Sequence, residues 1–134
     1  MRLVLFIFTL VSIFLYQEVG LPQGEIVVDI ASTNVEYDLG LIKADEVVEV
    51  KIFFRNKLDE ELILKNILSD CECLEANSDS IKVPRNGVFA IPIKINTSGY
   101  SGETNFMLYL ITESKKYNLI KIVIYAFVDK KNNF

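Results

Sequence analysis

A chain of 134 residues has room for one domain, and its 51% hydrophobic content and mean hydropathy of +0.30 look membrane-like at first sight. Histidine is absent and cysteine occurs twice, which removes the commonest general base and metal ligand and largely excludes conventional triads and zinc hydrolase sites. The net charge of −4, with no Lys/Arg cluster, argues against nucleic acid as a partner and against adherence to an anionic membrane surface.

Much of the hydrophobicity sits at the start of the chain. Arg2 and the uncharged apolar run Leu3–Tyr16 read as the n- and h-regions of a secretory signal peptide. The run falls short of the about 20 apolar residues that a spanning helix needs. Residues 1–20 are therefore expected to be a signal peptide or, if uncleaved, an N-terminal anchor, with cleavage near Val19-Gly20 or Gly24. No cysteine follows the run, which argues against a lipoprotein anchor. Cleavage after Gly20 removes Arg2 and Glu18 and leaves the net charge at −4. The expected address is the periplasm or the cell surface, with membrane contact only through an uncleaved N-terminus.

From Gly24 onward the pattern has period two. It predicts strands at Glu25–Ile30, Val35–Leu39, Val47–Asn56, Glu61–Leu68, Ile81–Val83, Val88–Asn96, Thr104–Thr112 and Leu119–Val128. Turn-rich stretches separate them at Asn56–Glu60, Pro84–Gly87, Thr97–Gly102 and Glu113–Lys116. This spacing, with no helical period, predicts an all-β, immunoglobulin-like β-sandwich of about seven strands over residues 25–129, followed by a disordered tail at 130–134.

Alternation also assigns faces. Val48, Val50, Ile52 and Phe54 share one side of their strand, and Phe89, Ile91, Ile93 and Ile95 share one side of theirs. Pro92 cannot donate to a ladder, so its strand is expected to have an edge there. The last two strands are apolar on both sides. Phe106, Leu108 and Leu110 back onto Met107, Tyr109 and Ile111, and Ile120, Ile122 and Ile124 back onto Val123, Tyr125 and Phe127. Two accounts stand open for the second set. Either the N-terminal segment or a loop covers it, or Met107, Tyr109, Ile111, Val123, Tyr125 and Phe127 form an exposed surface for a protein partner.

The only cysteines are Cys71 and Cys73, one residue apart and flanked by Asp70, Glu72 and Glu75. Extended residues two apart stand about 6.6–7 Å apart at Cα, at the limit for a disulfide, so a bridge needs a bend at Glu72. Nearby carboxylates disfavour the thiolate that an attacking redox cysteine requires. Two thiolates suit a soft ion such as Cu(I), but no histidine or nearby methionine completes a site. A local bridge, a redox pair and a metal pair all remain open readings, while no catalytic residue, metal set or cofactor site is expected elsewhere. The acidic groups at Asp45-Glu46 and Asp59-Glu60-Glu61 read as solvated turns, and Asn96-Thr97-Ser98 fits a glycosylation sequon that is equally an ordinary turn.

The order of these signals resembles a bacterial exported family known as domain of unknown function 1573. Tyr37-Asp38-Leu39-Gly40 followed by Ile42-Lys43 matches its opening, Val47 to Asn56 its asparagine-ended strand, and Lys57-Leu58-Asp59-Glu60 the turn after it. Leu62 to Cys73 matches the strand leading to a Cys-x-Cys element, and Pro84–Gly87 with Phe89–Gly102 the turn and strand that follow. Glu72 stands where glycine is usual, and Arg85-Asn86 loosens the proline-glycine turn. The resemblance spans about residues 35–128. It implies an immunoglobulin-like fold similar to PapD-like and ASPM–SPD-2–Hydin domains, and export, but no reaction. The expected role is an exported binding or structural module of the bacterial envelope with an envelope protein as partner, not an enzyme. The alternative is a thiol redox or copper-handling protein using Cys71 and Cys73.

Overall fold

Period-two alternation becomes nine β-strands and no helix in a computed structural model that describes residues 27–77 and 79–130. The strands are β1 (Val27–Ile30), β2 (Asn34–Lys43), β3 (Val47–Asn56), β4 (Leu62–Ser69), β5 (Leu74–Ala76), β6 (Ile81–Val83), β7 (Val88–Asn96), β8 (Gly102–Thr112) and β9 (Leu119–Asp129). They form a four-stranded sheet in the order β1-β3-β7-β5 and a five-stranded sheet in the order β2-β9-β8-β4-β6. Pairing is parallel in β1–β3 and β2–β9 and antiparallel elsewhere. The expected sandwich is present, with nine described strands in place of about seven. Residues 1–20 and residues 131–134 of the expected tail lie outside the described residues.

The two sheets meet through the faces that alternation assigns. Ile52, Phe54, Phe89, Ile91, Ile93 and Ile95 on one sheet are buried against Phe106, Leu108, Leu110, Ile120, Ile122 and Ile124 on the other. Phe54 and Phe89, which are register partners across β3 and β7, bring their ring centroids to 5.7 Å. Burying each such side chain contributes roughly 1.5–3 kcal/mol, so this layer is the principal source of stability. Pro92 behaves as its chemistry requires. β7 is flanked by β5 only from Ile93 to Ile95, and Pro92 sits where that flank ends.

Two bulges correct the simple alternation. β2 runs on to Lys43 instead of stopping at Leu39, because an extra residue between Asp38 and Gly40 lets pairing with β9 resume. Gly40 supplies the positive φ of 80°, and its N–H donates to Asp38 Oδ1 at 2.8 Å. β4 carries a second extra residue between Leu64 and Asn66 opposite β8, so Ile67 points inward and Leu68 outward. The short strand β5 was not expected. It follows a crossover at residues 70–73 that carries the chain from the five-stranded sheet to the four-stranded one.

Candidate functional site

Period two gives the five-stranded sheet an outer side as definite as its inner one. β8 and β9 pair as an antiparallel hairpin with Met107 opposite Val123, Asn105 opposite Tyr125, Glu103 opposite Phe127, Tyr109 opposite Lys121 and Ile111 opposite Leu119. The six expected partner residues therefore share one face, staggered rather than directly opposed except for Met107 and Val123. Met107, Tyr109, Ile111 and Val123 are half-buried among their neighbours, whereas Tyr125 is 37% and Phe127 49% exposed. The Tyr109 hydroxyl donates to the Met107 sulfur at 3.6 Å. β1 does not cover this face, since it runs beside β3 in the opposite sheet.

The face is larger than alternation in the last two strands suggests. Leu41, 68% exposed, lies opposite Phe127, and exposed Leu68 lies opposite Tyr109. Both reach this side through the bulges of β2 and β4, which is why a strict two-residue count misses them. Leu119 is also exposed and extends the stripe at the start of β9.

One end of the stripe is acidic. On the edge strand β2, Glu36 lies opposite Val123 and Asp38 opposite Tyr125, while Glu103 flanks Phe127 from β8. Asp70 joins them beside Met107, whose N–H approaches its Oδ1 at 3.4 Å. Tyr125 donates its hydroxyl to Glu36 at 3.2 Å. The Glu36 charge, with some desolvation and that hydrogen bond, holds the phenol pKa above its ordinary value, so Tyr125 stays a neutral donor well into alkaline conditions. The ion pairs among the described residues are Arg55–Asp29, Lys65–Glu113, Lys94–Glu49 and Lys116–Asp59. None uses Glu36, Asp38, Glu103 or Asp70. A groove of about 430 Å³ opens here, lined by Asp38, Glu103, Asn105, Tyr125 and Phe127 among others. Another, of about 350 Å³, lies on the opposite sheet, where Glu49, Lys51, Glu75 and Lys94 mix both signs.

Cys71 and Cys73 form a disulfide, with the chain bent at Glu72 to bring the Cα atoms to 5.2 Å. The bridge occupies the crossover between β4 and β5. Ser69 Oγ stands 2.8 Å from Cys71 O and 2.9 Å from Leu74 O, able to donate to either, and Asn96 N donates to Cys73 O at 2.8 Å. Both cysteines are half-buried against the core, with Asp70, Glu72 and Glu75 exposed around them.

Asp59 and Lys116 tie the turn after β3 to the turn before β9. Lys116 Nζ donates at 2.9 Å and the Tyr117 hydroxyl at 2.8 Å, which together hold the Asp59 carboxyl below its ordinary pKa. Asp59 and Lys116 are exposed while Tyr117 is half-buried against the core, and the cluster brings no further reactive group together.

No curated protein matches the sequence. A family model described as Protein of unknown function (DUF1573) matches residues 30–128. Among solved structures, the chain is similar to a protein of unknown function from Porphyromonas gingivalis W83, at 18% identity and a TM-score of 0.54, over 69% of this chain and 44% of that one. It is similar to the VesB protease of Vibrio cholerae at 10% identity and a TM-score of 0.52, over 69% of this chain and 30% of that one. The ASH / PapD-like domain of human CEP192 aligns at 8% identity and a TM-score of 0.49, over 87% of this chain and 97% of that one. At such identities the likeness concerns the fold alone, and the chain spans less than half the length of the first two structures.

Proposed function

The chain belongs to the DUF1573 family of proteins of unknown function, and on that footing we propose an exported, non-enzymatic module of the bacterial envelope that binds another protein through the outer face of its five-stranded sheet. The observation that carries this reading is the stripe formed by Leu41, Phe127, Tyr125, Val123, Met107, Tyr109 and Leu68 across four neighbouring strands. Singly exposed apolar residues are ordinary on a protein surface, but a contiguous stripe with aromatic members is typical of an interface. Tyrosine and phenylalanine bring large contact area with few rotatable bonds, so little conformational entropy is lost when they are covered. Export rests on Arg2 and the apolar run Leu3–Tyr16.

The test is affinity capture from the native envelope with the full chain and with a Tyr125→Ser, Phe127→Ser variant. Neither side chain belongs to the buried core, and both are partly exposed, so the variant should lose no more than about 2 kcal/mol of stability. Captured partner should fall by at least tenfold. Undiminished capture by a variant that melts normally would refute the docking reading.

A further inference from the structure

We propose that the occupant of this face is a basic segment of a protein partner, with a Lys or Arg side chain seated over Tyr125 and Phe127 between Asp38 on β2 and Glu103 on β8. The inference rests on the docking reading above and adds the chemistry of the partner. Register places the parts. Asp38 is the direct neighbour of Tyr125 across β2–β9, and Glu103 the direct neighbour of Phe127 across β8–β9, so two carboxylates flank two consecutive outward rings of one strand. A cation there meets both attractive elements, a ring face rich in π-electron density and carboxylates able to accept its N–H bonds. The groove at this point, about 430 Å³, is of the size that takes a side chain.

Charge settles which occupant fits. Glu36, Asp38, Glu103 and Asp70 surround one half of the stripe and enter none of the ion pairs found among the described residues. Together they make the local field negative, and a cation from outside is attracted to it. The bulge of β2 serves the same end. By adding one residue between Asp38 and Gly40 it keeps Asp38 and Leu41 on the same side as Tyr125 and Phe127. An acidic group and an apolar group are thereby offered together, matching a segment that alternates basic and apolar side chains. A second copy of this chain is a poorer occupant, because the protein carries a net charge of −4.

The probe is a short capped peptide, Arg-Ser-Leu-Ser-Arg-Ser-Leu, with controls carrying Gln or Glu in place of Arg, titrated into the full chain and followed by amide-resolved NMR. The Arg peptide should perturb Asp38, Glu103, Tyr125 and Phe127 and lose about tenfold in affinity between roughly 50 and 500 mM salt. The Gln peptide should bind at least about tenfold more weakly, and the Glu peptide not at all. Asp38→Asn with Glu103→Gln should weaken the Arg peptide about tenfold without moving the Gln peptide. Asparagine retains the acceptor that Gly40 N uses, so the bulge survives the change. Equal binding of the Gln and Arg peptides at these residues overturns the proposal and leaves the docking reading standing. The proposal also falls if no peptide perturbs the face while capture still depends on Tyr125 and Phe127. Concentration-dependent dimerisation abolished by Tyr125→Ser would assign the face to a second copy and overturn it as well.

Discussion

Asn56 closes β3 with no solvent exposure, yet its side-chain amide is fully used. Nδ2 donates to Glu60 O at 2.9 Å and to Val83 O at 3.1 Å, and Oδ1 accepts from Leu58 N at 3.0 Å. Its backbone accepts from Asn86 N at 2.7 Å and donates to Gly87 O at 2.9 Å, so one residue fastens two turns and the end of β6. Truncation would remove the side-chain acceptor of buried Leu58 N and one donor to Val83 O, and an unsatisfied buried group costs about 1–3 kcal/mol. Asn56→Ala should therefore lose about 2–4 kcal/mol in urea denaturation with an unchanged slope, and a loss below about 1 kcal/mol would contradict this account. The sequence marks Asn56 as the end of a strand. Its partnership with Val83, 27 residues away, is invisible there, because alternation reports which side a residue faces and not what it meets. Thr97 is a parallel case. Its hydroxyl is buried between Lys43 O at 2.7 Å and Glu46, so the middle residue of the apparent sequon joins two loops of the fold.

At the scale of elements, the bridged crossover and the bulges are the features that local pattern reads least well. Cys71 and Cys73 close a very short loop, and the loop-entropy relation gives such a link only about 1.5–2 kcal/mol. The surrounding hydrogen bonds from Ser69 and Asn96 use backbone carbonyls that serine substitutions leave in place. Cys71→Ser with Cys73→Ser should therefore stay folded and lose no more than about 2 kcal/mol, measured by thermal melting against the oxidised parent. An unfolded double variant would show that the crossover depends on its covalent link. Strands without irregularities, such as β3, β6 and β7, are legible to the residue, because alternation runs unbroken through them. Across Leu64-Lys65-Asn66-Ile67 it does not. A strict count puts Leu68 on the side of Leu62 and Leu64, and the bulge reverses it, which is how an exposed leucine joins the acidic-aromatic face.

At the scale of the molecule, two facing apolar layers were legible as a sandwich because each long strand carries one side that only burial can accommodate. Topology was not. Nothing in the local pattern of β2 says that it lies parallel to β9, since partner choice is decided by long-range packing. That parallel pairing has a mechanical consequence. β2 precedes most of the other strands and β9 is the last of them, so tension applied from the two sides of the fold in sequence pulls the paired strands in opposite directions along their length. Their ladder is loaded in shear, and its hydrogen bonds must yield together. Handles at Ser32 and Lys116 would instead pull near the Asn34–Lys121 end and open the same ladder one pair at a time. Force spectroscopy should find a distinctly higher unfolding force for the terminal handles, and equal forces would contradict it. A module tethered at one end and gripped at the other would thus hold against stretching by virtue of strand direction alone.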